Sequence, residues 1–264
     1  MSQTQPPAVE ARDLVKRYGS TLAVGGVSFS VESGEIFGFL GANGAGKTTT
    51  LRMLCGLVTP SAGRAMVCGY DVVTQAMEAK AALGYLDEEP FVHPFLTGRE
   101  FLDYIADLYR MPRGTERRDR MEKLLGAFEL ADRHGELIGT YSHGMKQKIG
   151  LASLLIREPR VLLLDEPTNG LDPRSARLVK DVLEELAARG VAILLSTHIL
   201  EVAEALCRRI AIMDRGRIVA TGSMEQLRAV AGTAQASLED LFLRLTGGPE
   251  SKDLVERLLD RPRP

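Results

Sequence analysis

One glycine-rich segment constrains this chain more than any other feature. Its residues are Gly41, Ala42, Asn43, Gly44, Ala45, Gly46, Lys47, Thr48 and Thr49, and they fit the pattern G-x-x-x-x-G-K-[ST] of a phosphate-binding loop. An apolar run over residues 36–40 precedes the segment, and a helix-like stretch over residues 49–55 follows it. A strand before such a loop and a helix after it are the context in which the pattern binds phosphate. This context disfavours the alternative, a plain glycine-rich turn before a helix.

Each residue type in this loop suits the binding of an anion. Glycines let backbone N–H groups turn inward around a phosphate without a Cβ in the way, and the helix directs the positive end of its dipole at the same anion. Lys47 adds a full charge at the β- and γ-phosphates, and the hydroxyl of Thr48 can ligate Mg²⁺.

The bulk properties exclude several other classes of protein. The 264 residues are enough for one large domain or two small ones, and 45% of them are hydrophobic, which is ordinary for a globular protein. Apolar runs such as residues 161–164 and 191–195 are too short to cross a bilayer and predict buried parallel strands. The net charge of −2 argues against binding nucleic acid through bulk electrostatics. The N-terminus lacks the pattern of a signal peptide and is expected to fray.

The three cysteines, Cys55, Cys68 and Cys207, are scattered and lack the spacing of metal ligands. We expect them to be reduced core residues of a cytosolic protein.

Strand and helix patterns alternate along most of the chain, which predicts an α/β fold with a parallel sheet. Three helices interrupt this alternation. One opens at a capping box formed by Thr97 and Glu100, the second shows apolar residues at helical spacing between Met121 and Phe128, and the third begins near His143. We interpret residues from about 90 to 158 as a helical subdomain inserted into the core, and Ser223 and Gln226 as a further capping box.

Two acidic residues follow the apolar strand that begins at Val161. Because ligands bind at the carboxyl ends of strands in open α/β sheets, Asp165 is suited to a water-mediated hold on Mg²⁺, and Glu166 to polarising a water that attacks the γ-phosphate. His198 follows the next predicted strand, and this position favours contact with the γ-phosphate over a purely structural role.

Two further segments are ambiguous by themselves. Ser142, His143 and Gly144 read as a Ser-capped helix start, and Asp172 with Pro173 reads as a helix cap with proline just inside the helix. Taken alone, both are more often structural than functional.

The order of all these segments resembles the ATP-binding subunit of an ABC transporter over residues 9–242. The phosphate-binding loop is similar to the family's Walker A motif. Residues 162–166 are similar to its Walker B motif with the catalytic glutamate, and His198 is similar to its switch histidine. The fold this implies is a P-loop ATPase core, with a mainly parallel sheet and an N-terminal antiparallel β region, spanning residues 9–243 between tails at 1–8 and 244–264. The remaining positions that the resemblance assigns are Tyr18 (stacking on adenine), Glu88 (the Q-loop, at the place of a glutamine that meets Mg²⁺), Ser142–Gly144 (the signature) and Asp172 (the D-loop).

The resemblance implies ATP and Mg²⁺ as ligands and a head-to-tail dimer of two ATPase subunits. In that dimer Ser142, His143, Gly144 and Asp172 would face the nucleotide held by the other subunit, which is either a second copy or a paralogue. A separate integral membrane permease would place the protein at the cytoplasmic face of the plasma (inner) membrane as a peripheral subunit.

Departures from the usual motifs, with His143 in the signature and Glu88 in the Q-loop, resemble the branch that pairs with ABC-2 type export permeases. Export is therefore favoured over import, whereas the substrate stays open because the permease selects it.

Two alternatives to a transport role are less well supported. A non-transport ABC ATPase that acts on ribosomes would normally carry two cassettes in one chain. One that acts on DNA would contain a long coiled coil. Neither pattern is present in this sequence. A generic phosphate-loop kinase or GTPase has no use for the Ser142–Gly144 segment. The favoured hypothesis is an ATPase subunit of a membrane exporter.

Overall fold

A computed structural model describes residues 6–230 and 237–247. Ten strands are present in this part of the chain. They are β1 (Val9–Tyr18), β2 (Thr21–Val31), β3 (Ile36–Leu40), β4 (Ala62–Val67), β5 (Tyr70–Asp71), β6 (Leu83–Leu86), β7 (Val161–Asp165), β8 (Ala192–Thr197), β9 (Arg209–Asp214) and β10 (Arg217–Gly222).

Nine α-helices accompany these strands within the described ranges. They are α1 (Lys47–Leu54), α2 (Ala76–Ala82), α3 (Gly98–Leu108), α4 (Thr115–Ala127), α5 (His143–Leu155), α6 (Pro173–Ala188), α7 (Leu200–Leu206), α8 (Met224–Val230) and α9 (Leu238–Thr246). None of the helices in the described ranges combines the length and apolar character that crossing a membrane requires.

The strands form two sheets. A six-stranded sheet has the order β10-β9-β3-β8-β7-β6, and all its neighbours are parallel except β9 and β10. A four-stranded sheet with the order β2-β1-β4-β5 is antiparallel throughout. The predicted fold class is therefore confirmed: an α/β core with a mainly parallel sheet, an antiparallel N-terminal region and inserted helices.

The central strands are buried on both faces, as expected for a parallel sheet covered by helices. All five residues of β3 and of β7 are buried, as are all six of β8. Helices α3, α4 and α5 bring their own apolar faces to the same core. Met121, Leu125 and Phe128 are at most 3% exposed, which confirms the helical spacing predicted for them.

The local signals at the helix starts are confirmed as well. Thr97 accepts a hydrogen bond from the backbone of Glu100, whose side chain accepts one from the backbone of Thr97. Ser142 caps α5, and Asp172 caps α6 with proline in the first turn. Ser223 and Gln226 exchange the same pair of hydrogen bonds ahead of α8.

Other expectations are met less fully. The three cysteines are free, but only Cys55 and Cys207 are buried, whereas Cys68 lies at the surface of the antiparallel sheet and is partly exposed. The predicted domain boundary at residue 243 falls inside α9. Residues 1–5 of the predicted N-terminal tail and 248–264 of the C-terminal tail lie outside the described residues, and the domain limits stay predictions.

Candidate nucleotide site

Four parallel strands bring the predicted site segments to one edge of the sheet. In the register of the sheet, Leu40 pairs with Thr197 and Asp165 with Ser196, so that β3, β8 and β7 end side by side. Strand β6 adjoins β7 and also ends at this edge. The phosphate-binding loop, His198, Glu166 and Glu88 each follow one of these strand ends.

The backbone of the loop explains two of its glycines. Gly44 and Gly46 have φ angles of 82° and 104°, a region that residues with a Cβ rarely adopt. A Cβ on Gly46 would also lie 2.8 Å from the carbonyl oxygen of Ala23 in β2. Gly46 is the residue before α1, so the N–H groups at the start of this helix face the cavity beside the loop.

Lys47 is held against the loop that contains it. Its Nζ donates to the carbonyl oxygens of Gly41 at 2.7 Å and Ala42 at 3.3 Å, and lies 3.8 Å from Oε1 of Glu166. Burial lowers the pKa of Lys47, while the negative charges of Glu166, Asp165 and Glu88 oppose this change. A buried ammonium of this kind is stabilised by any further anion, such as a phosphate.

Asp165 has one satisfied and one unsatisfied oxygen. The hydroxyl of Ser196 donates to Oδ1, while Oδ2 is buried without a hydrogen-bond partner. A buried carboxylate oxygen that lacks a partner is costly unless a ligand or water completes it. Asp165 therefore has a free coordination position at the carboxyl end of β7.

Glu166 and His198 form a pair beside Asp165. Nδ1 of His198 lies 2.8 Å from Oε1 of Glu166, and the backbone N–H of His198 donates to Oε2 at 3.4 Å. Glu166 has a φ of 48°, uncommon for a residue with a side chain, and such strained backbone often occurs at functional sites. Its carboxylate is buried, whereas the side chain of His198 is 45% exposed.

Glu88 is connected to this group through Asn169. Its Oε1 accepts a hydrogen bond from Nδ2 of Asn169 at 3.0 Å. The backbone N–H of Asn169 donates to the carbonyl oxygen of Glu166 at 3.0 Å, so one residue joins the two acidic segments. Asn169 was not among the predicted site residues, although it lies only three positions after Glu166.

Lys47, Glu88, Asp165 and Glu166 line a cavity of about 280 Å³, whereas His198 and Asn169 contact these acidic residues from outside the lining. Its walls are formed by Ala23, by residues Asn43, Gly44, Ala45, Gly46, Lys47, Thr48 and Thr49 of the loop, and by Glu88, Asp165 and Glu166. The described residues contain no cluster of three or more His, Cys, Asp or Glu side chains that could hold a metal by themselves. Mg²⁺ typically takes one or two carboxylates together with waters and substrate phosphates, and Thr48 with the unpartnered oxygen of Asp165 fits that requirement.

The other predicted residues lie away from this cavity. Tyr18 ends β1 with 52% of its surface exposed, and Nζ of Lys16 lies 5.0 Å from the centre of its ring. The hairpin that follows it leads into β2, which contributes Ala23 to the cavity wall.

The segments assigned to the partner-facing surface also lie outside the lining of the cavity. Ser142 and His143 are exposed at the start of α5, and Nε2 of His143 lies 3.3 Å from the carbonyl oxygen of Asn169. Asp172 is exposed at the start of α6, where it accepts hydrogen bonds from the backbone of Arg174 and Ser175. Hydrogen bonding from Ser175 lowers the pKa of Asp172, which keeps this cap ionised.

The chain belongs to the ABC transporter family. The family model described as "ABC transporter" matches residues 24–169, more than half of the chain. Two relatives come from bacteria. The daunorubicin/doxorubicin resistance ATP-binding protein of Streptomyces peucetius is 39% identical over 259 residues, which are 97% of this chain and 76% of that protein. The Nod factor export ATP-binding protein I of Burkholderia orbicola is 41% identical over 219 residues, 83% of this chain and 72% of that protein.

Solved structures agree with this assignment. A structure described as an ATP-binding subunit of an ABC transporter shares 34% identity and a TM-score of 0.85, covering 90% of this chain and 99% of that one. A dimeric ATP-binding cassette bound to ADP and phosphate shares 23% identity and a TM-score of 0.74, covering 82% of this chain and 98% of that one. The second likeness concerns the fold alone.

Proposed function

We propose that this protein is the ATP-binding and ATP-hydrolysing subunit of a membrane exporter. The observation that carries the proposal is the single cavity in which Lys47 and the helix start of the phosphate-binding loop face Asp165 and Glu166. The names of the relatives describe daunorubicin/doxorubicin resistance and Nod factor export, which supports export as the direction of transport. A role on ribosomes or DNA has no such support.

The first step is the binding of the triphosphate. The N–H groups of the loop and the start of α1 offer donors to the phosphates, and Lys47 supplies a full positive charge. The loop carbonyls of Gly41 and Ala42 hold the ammonium group in place before the nucleotide enters. Thr48 and Asp165 are positioned to hold Mg²⁺, which supplies charge neutralisation at the phosphates.

Hydrolysis then requires a group that accepts a proton from the attacking water. Glu166 is suited to this role because its carboxylate is buried in the wall of the cavity, close to Lys47. His198 contacts the same carboxylate through both its ring and its backbone, and so it orients Glu166. In this arrangement His198 can also reach toward the terminal phosphate, because much of its ring is exposed.

We assign Tyr18 to the adenine base. Its exposed ring lies on the hairpin that contributes Ala23 to the cavity wall, and an exposed aromatic face can stack on a base. Glu88 is assigned to the metal and the attacking water, together with its hydrogen-bond partner Asn169.

A second subunit completes the site in this proposal. Ser142, His143 and Gly144 expose the start of α5 outside their own subunit's cavity, where backbone N–H groups and the helix dipole attract an anion. In a head-to-tail dimer each such surface, with Asp172, would close over the nucleotide of the other subunit. Binding of ATP would hold the dimer together and hydrolysis would release it.

This chain has a candidate docking surface for the permease shortly after Glu88 in the sequence. Phe91 and Phe95 are 85% and 86% exposed, and the ring of His93 between them contacts both Phe91 and Tyr104. Exposed apolar clusters of this kind mark interaction surfaces. We assign these four aromatic residues to contact with an integral membrane permease, which would hold the protein at the cytoplasmic face of the membrane.

Mixing two inactive variants tests the composite site. Lys47→Ala removes the loop charge, and Ser142→Arg adds bulk and charge on the partner-facing surface, so that each variant alone should hydrolyse ATP very slowly. A mixed dimer contains one site with an intact Lys47 and an intact Ser142. If the two sites act independently, random mixing should restore up to about a quarter of the parent activity.

The outcome against the proposal is equally specific. A mixture no more active than its components, although both variants are folded and Ser142→Arg still binds ATP, would contradict the head-to-tail arrangement.

The permease assignment is tested by co-purification of this protein with the integral membrane protein that the neighbouring gene encodes. Phe91→Ser with Phe95→Ser should abolish it, whereas Leu57→Ser, which changes another exposed apolar residue, should not.

A further inference from the structure

A second cavity lies at the opposite end of the parallel sheet. Its volume of about 460 Å³ exceeds that of the nucleotide cavity. Arg160 and Val191, which line it, come directly before β7 and β8, so the cavity is located at the amino ends of these strands. No residue of the proposed ATPase site lines it.

Three parts of the fold meet around this cavity. Leu124 belongs to α4 and Leu155 to α5 of the inserted helices, Leu186 belongs to α6 of the core, and Cys68 follows β4 of the antiparallel sheet. Their side chains, together with Val191, give the cavity mainly aliphatic walls. Most small-molecule sites have this character, with a few polar groups that fix the orientation of the ligand.

The charges around the cavity do not balance. Arg120 forms an ion pair with Glu158, and Arg189 forms one with Glu185. Arg160, in contrast, is exposed and has no hydrogen-bond or ion-pair partner for its guanidinium group among residues 6–230 and 237–247, so this group is open to a ligand that enters the cavity. One arginine of the lining therefore has no carboxylate of the described chain to neutralise it.

Two further observations place donors at this cavity. Burial raises the pKa of the Cys68 thiol while the charge of Arg160 opposes the rise, so the guanidinium lies near another wall residue. Nε of Arg120 is buried without an acceptor, although its two terminal nitrogens are bonded to Glu158 and to the carbonyl oxygen of Leu155. A buried N–H without an acceptor is rare in folded proteins, and this one lies beside the residues of the cavity wall.

We propose that this cavity binds a small amphipathic anion, an aliphatic carboxylate whose chain packs between Leu124, Leu155 and Leu186 and whose carboxylate is bound by Arg160. The aliphatic walls accept a hydrocarbon chain, and the planar guanidinium group matches a carboxylate with two parallel hydrogen bonds. The site is separate from the ATPase site and from the proposed permease surface.

A ligand at this position would connect the inserted helices with the core. It would touch α4 and α5 on one side and α6 on the other. It would therefore favour one orientation of α4 and of α5, which Ser142 caps, relative to the sheet. Occupancy and ATP hydrolysis would then be coupled through this orientation.

Isothermal titration calorimetry with octanoate tests the proposal on the full chain. We expect binding of one octanoate per chain that an excess of ATP does not displace. Octanol lacks the charge, acetate lacks the chain and octylamine carries the opposite charge, so each should bind far more weakly. Arg160→Gln should raise the dissociation constant by about tenfold or more, because it removes the charge and at least one of the two hydrogen bonds to the carboxylate.

Arg118→Gln provides the matched control. Arg118 is an exposed arginine of α4, the same helix as Arg120 and Leu124, but it does not line the cavity, and its substitution should leave octanoate binding unchanged. Leu124→Trp, which fills the cavity from the apolar side, should also abolish binding while ATP affinity shows that the variant is folded. Equal affinity of octanoate for the parent and Arg160→Gln, tight binding of octylamine, or displacement by ATP would each overturn the proposal.

Discussion

Replacing Glu166 with glutamine separates the two roles proposed for this residue, the contact with His198 and the acceptance of a proton from the attacking water. Its carboxylate is buried, accepts from His198 and lies 3.8 Å from Nζ of Lys47. An amide has the same shape, but it has a single oxygen, so it can accept from only one of the two groups of His198 that contact Oε1 and Oε2. It cannot accept the proton of the attacking water at neutral pH. Glu166→Gln should therefore keep the size and position of the side chain and lose the proton acceptor, together with one of the two contacts with His198.

The magnitude follows from this loss. A positioned general base contributes about 10²–10⁴-fold to the rate of a reaction. At about 1.36 kcal/mol for each factor of ten, this corresponds to about 2.7–5.5 kcal/mol in the activation free energy. ATP affinity should not fall, because the substitution also removes the attraction between Glu166 and Lys47 and leaves the ammonium group available to the phosphates. The variant should accumulate as an ATP-bound dimer.

Single-turnover hydrolysis and size-exclusion chromatography with ATP and Mg²⁺ measure these two effects. Glu88→Gln is the matched control, since it makes the same chemical change in the wall of the same cavity. We expect it to retain activity, because the amide oxygen can still accept from Asn169. If Glu166→Gln turned over ATP at nearly the parent rate and eluted as a monomer, or if both variants were equally impaired, Glu166 would not be the proton acceptor.

Three further predictions concern other parts of the chain. Tyr18→Ala should weaken ATP binding several-fold or more, since stacking of an aromatic ring on a base contributes about 1–3 kcal/mol; equal affinity in a fluorescence titration would show that Tyr18 only packs in its hairpin. ATP binding should depend less steeply on Mg²⁺ in Glu88→Gln than in the parent, because the full charge of Glu88 near the triphosphate is tolerable only when the metal offsets it; superimposable titrations would leave Glu88 without a role at the metal. Phe128→Ala should lower the free energy of unfolding by about 3–5 kcal/mol, because Phe128 is fully buried in the core of the inserted helices; a change in the urea midpoint within error of the parent would contradict this packing.

The placement of the candidate site segments at one edge of the sheet was largely predictable from the sequence, because these segments follow strands. A motif such as Gly41–Thr49 has its own local pattern, and Asp165, Glu166 and His198 each come at the end of an apolar run. Parallel pairing then places these ends together without further information. Strand β6 was harder to recognise, since its four residues follow the alanine-rich helix α2 and include a glycine. Without β6 the position of Glu88 rested on resemblance alone.

The cavity at the amino ends of the strands had no comparable signal. Its lining residues range from Ala8 to Val191 and belong to loops, to helices and to positions just outside strands of the antiparallel sheet. The lack of a partner for Arg160 is a property of the folded chain, because in sequence it has an acidic neighbour, Glu158, only two positions away. In the structure that carboxylate pairs with Arg120 instead. Such a pairing depends on how α4 packs beside the end of α5, which no local pattern encodes.

The two departures from the family's usual motifs meet at one residue in the structure. Glu88 accepts from the side chain of Asn169, and Nε2 of His143 lies within hydrogen-bond distance of its backbone carbonyl oxygen. A glutamine at position 88 could accept the first hydrogen bond through its amide oxygen, whereas a glycine at position 143 could not donate the second. In this chain, therefore, His143 of the proposed partner-facing surface contacts Asn169, the same residue that holds Glu88 in the wall of the subunit's own cavity. Asn169 also donates to the carbonyl oxygen of Glu166. Closure over a second nucleotide would move the start of α5. Two hydrogen bonds, from His143 to Asn169 and from Asn169 to Glu166, would transmit this movement to Glu166.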